Sequence, residues 1–110
     1  MKQLSARQIL NRTITEKELL EQVKELASLL GWSFYHTYDS RRSNAGFPDL
    51  VLARGCRVIF AELKAPKGRL TPEQSAWARV LSSASAGGGI EYYMWRPSEL
   101  ESGQIRRALE

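Results

Sequence analysis

Two short apolar runs, Leu50–Ala53 and Arg57–Leu63, are separated only by Arg54-Gly55-Cys56. So tight a connection predicts an antiparallel β-hairpin. The hairpin also fixes what lies together. Asp49 opens the first strand, and Glu62 and Lys64 close the second, so Asp49 and Lys64 share one end of a sheet with Glu62 near it. Glu62 and Lys64 are two residues apart and leave the same face of their strand.

The rest of the chain supplies helices to cover that sheet. A helix is predicted from Thr15 to Gly31. Thr15 and Glu18 form a capping box, Ile14 and Leu19 a hydrophobic staple, and Leu19, Val23, Leu26 and Leu30 an apolar stripe. Trp32–Tyr38 alternates and reads as a strand, and Asp39–Gly46 as a polar loop carrying Arg41 and Arg42. Lys64–Arg69 is a basic loop. A second helix starts at Thr71, with Pro72 at its first position and Gln74 closing a second capping box, and Gly87-Gly88-Gly89 breaks it. Ile90–Trp95 is the last strand, and Pro97-Ser98 opens a short C-terminal segment; residues 1–12 show no pattern beyond an arm or short helix. The order αβββαβ, with the last strand crossing back over a helix, gives an α/β fold: a mixed sheet flanked by helices. The 110 residues are expected to form one domain with its core over about 15–100.

Composition removes several classes. No apolar run nears the ~18 residues of a membrane span, and the N-terminus lacks the features of a signal peptide. Cys56 is the single cysteine, which leaves no internal disulfide and no cysteine metal cluster. The expectation is a soluble cytoplasmic protein. The net charge of +4 and pI near 9.5 suit a polyanionic partner but add little alone.

Two carboxylates at a sheet end suit Mg²⁺ or Mn²⁺, which take hard oxygen ligands and keep water and substrate phosphate in the remaining positions. A lysine beside the ion can orient water or stabilise charge in phosphodiester hydrolysis. Glu62 within the apolar run RVIFAEL is hard to explain by stability, since a charge there is costly unless paired or bound to metal.

Phe47-Pro48-Asp49-Leu50, with Asp49 followed after twelve residues by Glu62-Leu63-Lys64, resembles the signature of the PD-(D/E)XK nuclease superfamily. Gly46–Val51 with Ala61–Lys64, Leu70-Thr71-Pro72-Glu73-Gln74, Thr15-Glu16, Gly31-Trp32 and Trp95-Arg96-Pro97 together resemble its VRR-NUC branch, over roughly residues 15–100. The resemblance implies a restriction-endonuclease-like core and a metal-dependent DNA endonuclease. The small stand-alone, phage-type members are similar to Holliday junction resolvases, act as homodimers, and point to branched DNA in a bacterial or infected host cell. It makes Asp49 and Glu62 metal ligands, with the Leu63 carbonyl as a third, and Lys64 the catalytic lysine. Glu16 matches the first-helix glutamate of the site and Gln74 the glutamine of the second helix. No organic cofactor or membrane is implied. Leu20 stands where many relatives carry glutamine.

Each residue also has a plainer explanation. Asp49 after Pro48 suits a turn, and Glu62 with Lys64 suits a surface pair. Gln74 serves equally well as a helix cap alone. Glu16 becomes structural if Thr13 rather than Thr15 caps the helix. Arg41, Arg42, Lys67 and Arg69 are the candidate phosphate contacts, while His36, Trp77, Trp95, Tyr92 and Tyr93 fit structural positions. The rival functions are a non-catalytic DNA-binding module of this fold and an RNA-directed nuclease.

Overall fold

The computed structural model describes residues 14–37 and 44–110. The elements are α1 (Glu16–Leu29), β1 (Ser33–His36), β2 (Leu50–Arg54), β3 (Arg57–Leu63), α2 (Pro72–Ala86), β4 (Glu91–Trp95), α3 (Pro97–Glu101) and α4 (Gln104–Leu109). The hairpin forms where expected. Arg54 belongs to β2, however, so the turn is the two residues Gly55-Cys56, with Gly55 at the positive φ of +60° that a tight hairpin turn requires.

The four strands make one sheet in the order β1-β2-β3-β4. The first three pair antiparallel, and β4 returns parallel to β3 after crossing α2. The sheet is therefore mixed, as the element order predicted. β1 stops at His36, and Tyr38 of the longer expected strand lies outside the described residues.

Both capping boxes exist. The Thr15 hydroxyl accepts from the Glu18 N–H at 3.1 Å while the Glu18 carboxylate accepts from the Thr15 N–H. The staple residues Ile14 and Leu19 are both buried. This settles the register of α1; Thr13, the competing cap, lies outside the described residues. α1 buries Leu19, Val23 and Ala27 against one sheet face, on Leu50, Leu52, Ile59, Ala61 and Leu63. Full burial of a Leu or Ile side chain contributes about 1.5–3 kcal/mol, so this face holds most of the apolar stabilisation.

The core continues past residue 100. Ile105 and Leu109 of α4 are fully buried in the same cluster. A six-residue helix is too short to hold itself, and residues at the turn end of the sheet grip it instead. Arg54 Nη1 donates to the Leu30 and Leu109 carbonyls, both at 2.9 Å, and Trp32 Nε1 donates to Leu109 at 2.8 Å. The Arg54 and Arg57 guanidiniums lie 4.7 and 5.0 Å from the Trp32 ring centre. The opposite sheet face is covered more thinly, by α2, where Leu81 is the buried residue and Phe47 meets Phe60 and Trp77 edge-on at 6.0 and 5.1 Å. Among the described residues no helix is long and apolar enough to cross a membrane.

Candidate active site

Extending the β2–β3 register by one residue beyond Leu50↔Ala61 sets Asp49 beside Glu62. Glu62 is 2% exposed and Lys64 9%, so two charged side chains are buried at this sheet end. The Glu62 carboxyl is pushed far above its usual range. Burial is the largest cause, followed by a hydrogen bond to the Asp49 carboxyl and the Asp49 charge, with Lys64 acting in the opposite direction. Two carboxyls in such contact hold a proton between them unless a cation replaces it.

Pro48 shapes the same end. Thr37 N–H donates to the Asp49 carbonyl, so odd-numbered residues along β2 turn their backbone groups toward β1 and even-numbered ones toward β3. The next rung toward β3 would need an N–H at position 48, opposite Leu63. Proline has none. The ladder thus supplies no donor to the Leu63 carbonyl, while the Leu63 N–H donates to Asp49 Oδ2 at 2.8 Å.

Gln74 closes the α2 cap with one end of its amide and reaches Glu62 with the other. Its Oε1 accepts from the Thr71 N–H at 2.9 Å, closing the α2 cap, and its Nε2 donates to Glu62 Oε1 at 3.2 Å. Gly46 lets α2 come this close. It has φ +85°, and a Cβ there would stand 2.6 Å from the Gln74 nitrogen.

Glu16 opens α1 at the same sheet end. The residue is exposed as a whole. Its carboxyl is nonetheless raised by partial burial and by the Asp49 charge, and lowered by Lys64 and the Ala65 backbone N–H. A cavity of about 320 Å³ is lined by Glu16, Lys17, Leu20, His36, Asp49 and Leu63. Tyr92 shares the sheet face of Phe60 and Glu62, and its phenol is pushed up to about 12 by burial and by the charges of Glu62 and Asp49.

The chain matches the VRR-NUC domain over residues 2–96. It belongs to the VRR-NUC family. This is a nuclease domain of the PD-(D/E)XK class, and the mixed four-stranded sheet with flanking helices is the fold such a domain requires. No curated protein and no solved structure matches the chain.

The sequence-derived residues of this VRR-NUC domain fall into three groups. Asp49, Glu62, Leu63, Lys64, Gln74 and Glu16 come to one sheet end. Lys67 and Arg69 stand exposed on the loop that follows Lys64. Arg41 and Arg42 lie outside the described residues. Sequence reasoning missed the site positions of His36 and Tyr92, treating both as structural. The β1–β2 register that carries His36 to the cavity is not marked by any short turn, and only the parallel return of β4 brings Tyr92 to the face of Glu62. Leu20, where glutamine was expected, is an apolar part of the cavity wall.

Do these residues suit a divalent cation? Among the described residues no three Asp, Glu, His or Cys side chains stand close enough to form a cage of their own. Mg²⁺ does not need one, since one or two carboxylates with water and phosphate oxygens suffice. Two adjacent carboxyls, beside a carbonyl that proline leaves without a ladder donor, form a hard-oxygen donor set. The fit is good.

Proposed function

We propose that the chain is a divalent-metal-dependent endonuclease acting on DNA phosphodiesters. The carrying observation is the Asp49–Glu62 carboxyl pair at a sheet end, Glu62 buried and Asp49 half-buried, with Lys64 buried beside them. Asp49, Glu62 and the Leu63 carbonyl would hold Mg²⁺ or Mn²⁺, with Glu16 completing the site. A bound cation supplies Lewis acidity and a more acidic water at neutral pH. Asp49 is oriented by the Leu63 N–H, and Glu62 by the Gln74 amide, so neither carboxylate is free to swing away. Lys64, nearly excluded from solvent, presents its ammonium to a phosphate oxygen or to the attacking water. Lys67 and Arg69, with Arg41 and Arg42, would seat the backbone without reading sequence.

A preference for branched or four-way junction DNA and a symmetric homodimer belong to the same reading. A domain this small covers little DNA, and a two-fold substrate is most simply met by a two-fold protein. The cytoplasm of a bacterial or phage-infected cell is the setting it implies. The test is cleavage of duplex, nicked, flap and four-way junction DNA and of RNA in Mg²⁺, Mn²⁺ and EDTA. Metal-dependent cutting of DNA is expected, strongest on branched forms. Cleavage in EDTA, or of RNA alone, contradicts the proposal, and metal-independent binding without cleavage makes the chain a DNA-binding module.

A further inference from the structure

The surroundings of Arg96 are unusual for a side chain kept for stability. The parallel register Leu63↔Trp95, extended by one, sets Arg96 beside Lys64. The Lys64 N–H donates to the Trp95 carbonyl at 2.9 Å and fixes that alignment. Arg96 turns back across the site. Its Nη2 donates to the Gly68 carbonyl at 2.7 Å and its Nη1 to Met94 Sδ at 3.3 Å. Met94 is the register partner of Glu62.

Both acceptors are neutral, and among the described residues the guanidinium forms no ion pair with a carboxylate. Its Nε is buried with no hydrogen-bond partner. The residue as a whole is half-buried, and leaving that buried N–H unsatisfied opposes folding.

The grip on Gly68 reaches the lysine. The Gly68 N–H donates to the Ala65 carbonyl at 3.0 Å, turning the 64–69 segment back on itself. This brings Gly68 over the Lys64 stem so closely that a Cβ on Gly68 would touch Lys64 Cδ at 3.4 Å. We propose that Arg96 is a positioning residue for Lys64: by holding the Gly68 carbonyl it folds the basic loop over the lysine stem and aims the ammonium at the carboxyl pair. The proposal rests on the reading of Lys64 as the catalytic lysine. It assigns Arg96 no contact with DNA or metal.

A double-mutant cycle separates this from a DNA contact and from a purely structural staple. Single-turnover cleavage of a DNA substrate that the wild type cuts in Mg²⁺ is measured for wild type, Arg96→Met, Lys64→Met and the double variant. DNA affinity in EDTA and melting temperature are followed beside it. Arg96→Met is expected to slow cleavage on the order of 10- to 100-fold, the scale of a misplaced catalytic group, with DNA affinity unchanged. In the Lys64→Met background it should cost nothing further. Should Lys64→Met leave no measurable rate, Lys64→Arg supplies the second background. Should Arg96→Met melt below the assay temperature, Arg96→Lys replaces it, keeping the charge but losing the two-pronged grip. An unchanged rate, an equal loss in both backgrounds, or a loss explained by weaker DNA binding overturns the proposal. Wild-type cleavage by Lys64→Met would instead remove the catalytic reading of Lys64 beneath it.

Discussion

Glu62→Gln should abolish cleavage and yet stabilise the metal-free protein at alkaline pH. The Glu62 carboxyl is 2% exposed and titrates well above its usual range because burial and Asp49 oppose its charge. The folded state therefore holds a proton that the unfolded chain releases near pH 4.5. That difference makes stability fall as pH rises from about 4.5 toward the folded value. Glutamine keeps the shape, can still accept from Gln74 Nε2 and donate to the Asp49 carboxyl, and carries no charge to desolvate. Relieving a poorly compensated buried charge is worth about 1–3 kcal/mol. For a domain near this size that is roughly 5–15 °C in melting temperature. The assay is thermal unfolding of both proteins in EDTA between pH 5 and 9. The two curves should meet near pH 5, where Glu62 is protonated, and diverge in favour of the variant as pH rises. Glu91, whose pKa is lowered mainly by its bond to Arg57, contributes equally to both proteins and cancels. Saturating Mn²⁺ should reverse the order by stabilising wild type alone. A variant less stable at every pH, or a difference independent of pH, refutes the reasoning.

Gln74→Glu keeps a side chain able to cap Thr71 but sets a carboxylate against Glu62; cleavage should fall at least tenfold, about 1.4 kcal/mol in the barrier, while α2 content by circular dichroism holds. Gln74→Ala should lose both functions, with about 1 kcal/mol of stability from the cap. Glu16→Gln should slow cleavage about 100-fold, the scale of a group acting in the transition state. Glu18→Gln, whose partner is the Thr15 cap, should cost about 1 kcal/mol or less in thermal unfolding and leave the rate intact. If Glu16→Gln melts earlier but cuts normally, Glu16 leaves the site. Gly46→Ala forces a strained φ and a collision with the start of α2; a loss of about 2 kcal/mol or more in denaturant unfolding is expected, and a neutral result denies the close approach.

The site was legible wherever local chemistry fixes geometry. The tight hairpin already placed Asp49, Glu62 and Lys64 at one sheet end, but the turn is one residue shorter than Arg54-Gly55-Cys56, and that difference is what sets Asp49 opposite Glu62. Thr15 and Thr71, each three residues before a Glu or Gln, set where both helices begin and so where Glu16 and Gln74 stand. The rest depends on distant partners. Nothing local marks Ile105 and Leu109 as core, because α4 is held by Trp32, Arg54 and Arg57 from the far end of the sheet. His36 reaches the cavity through pairing with a strand that begins only at Leu50. Gln74 could be split between cap and site only once its amide was seen to have two partners. Arg96 grips a carbonyl twenty-eight residues away, a contact that no spacing announces.

The proposed activity depends on Asp49 and Glu62 holding the cation together. Calorimetric titration of Mn²⁺ into the DNA-free protein at pH 7, in buffers of differing ionisation enthalpy, tests it directly. Wild type should bind with release of protons, since the metal displaces the proton the two carboxyls share. Asp49→Asn should lose that binding while remaining folded. Undiminished Mn²⁺ binding by folded Asp49→Asn, or wild-type binding without proton release, would contradict it.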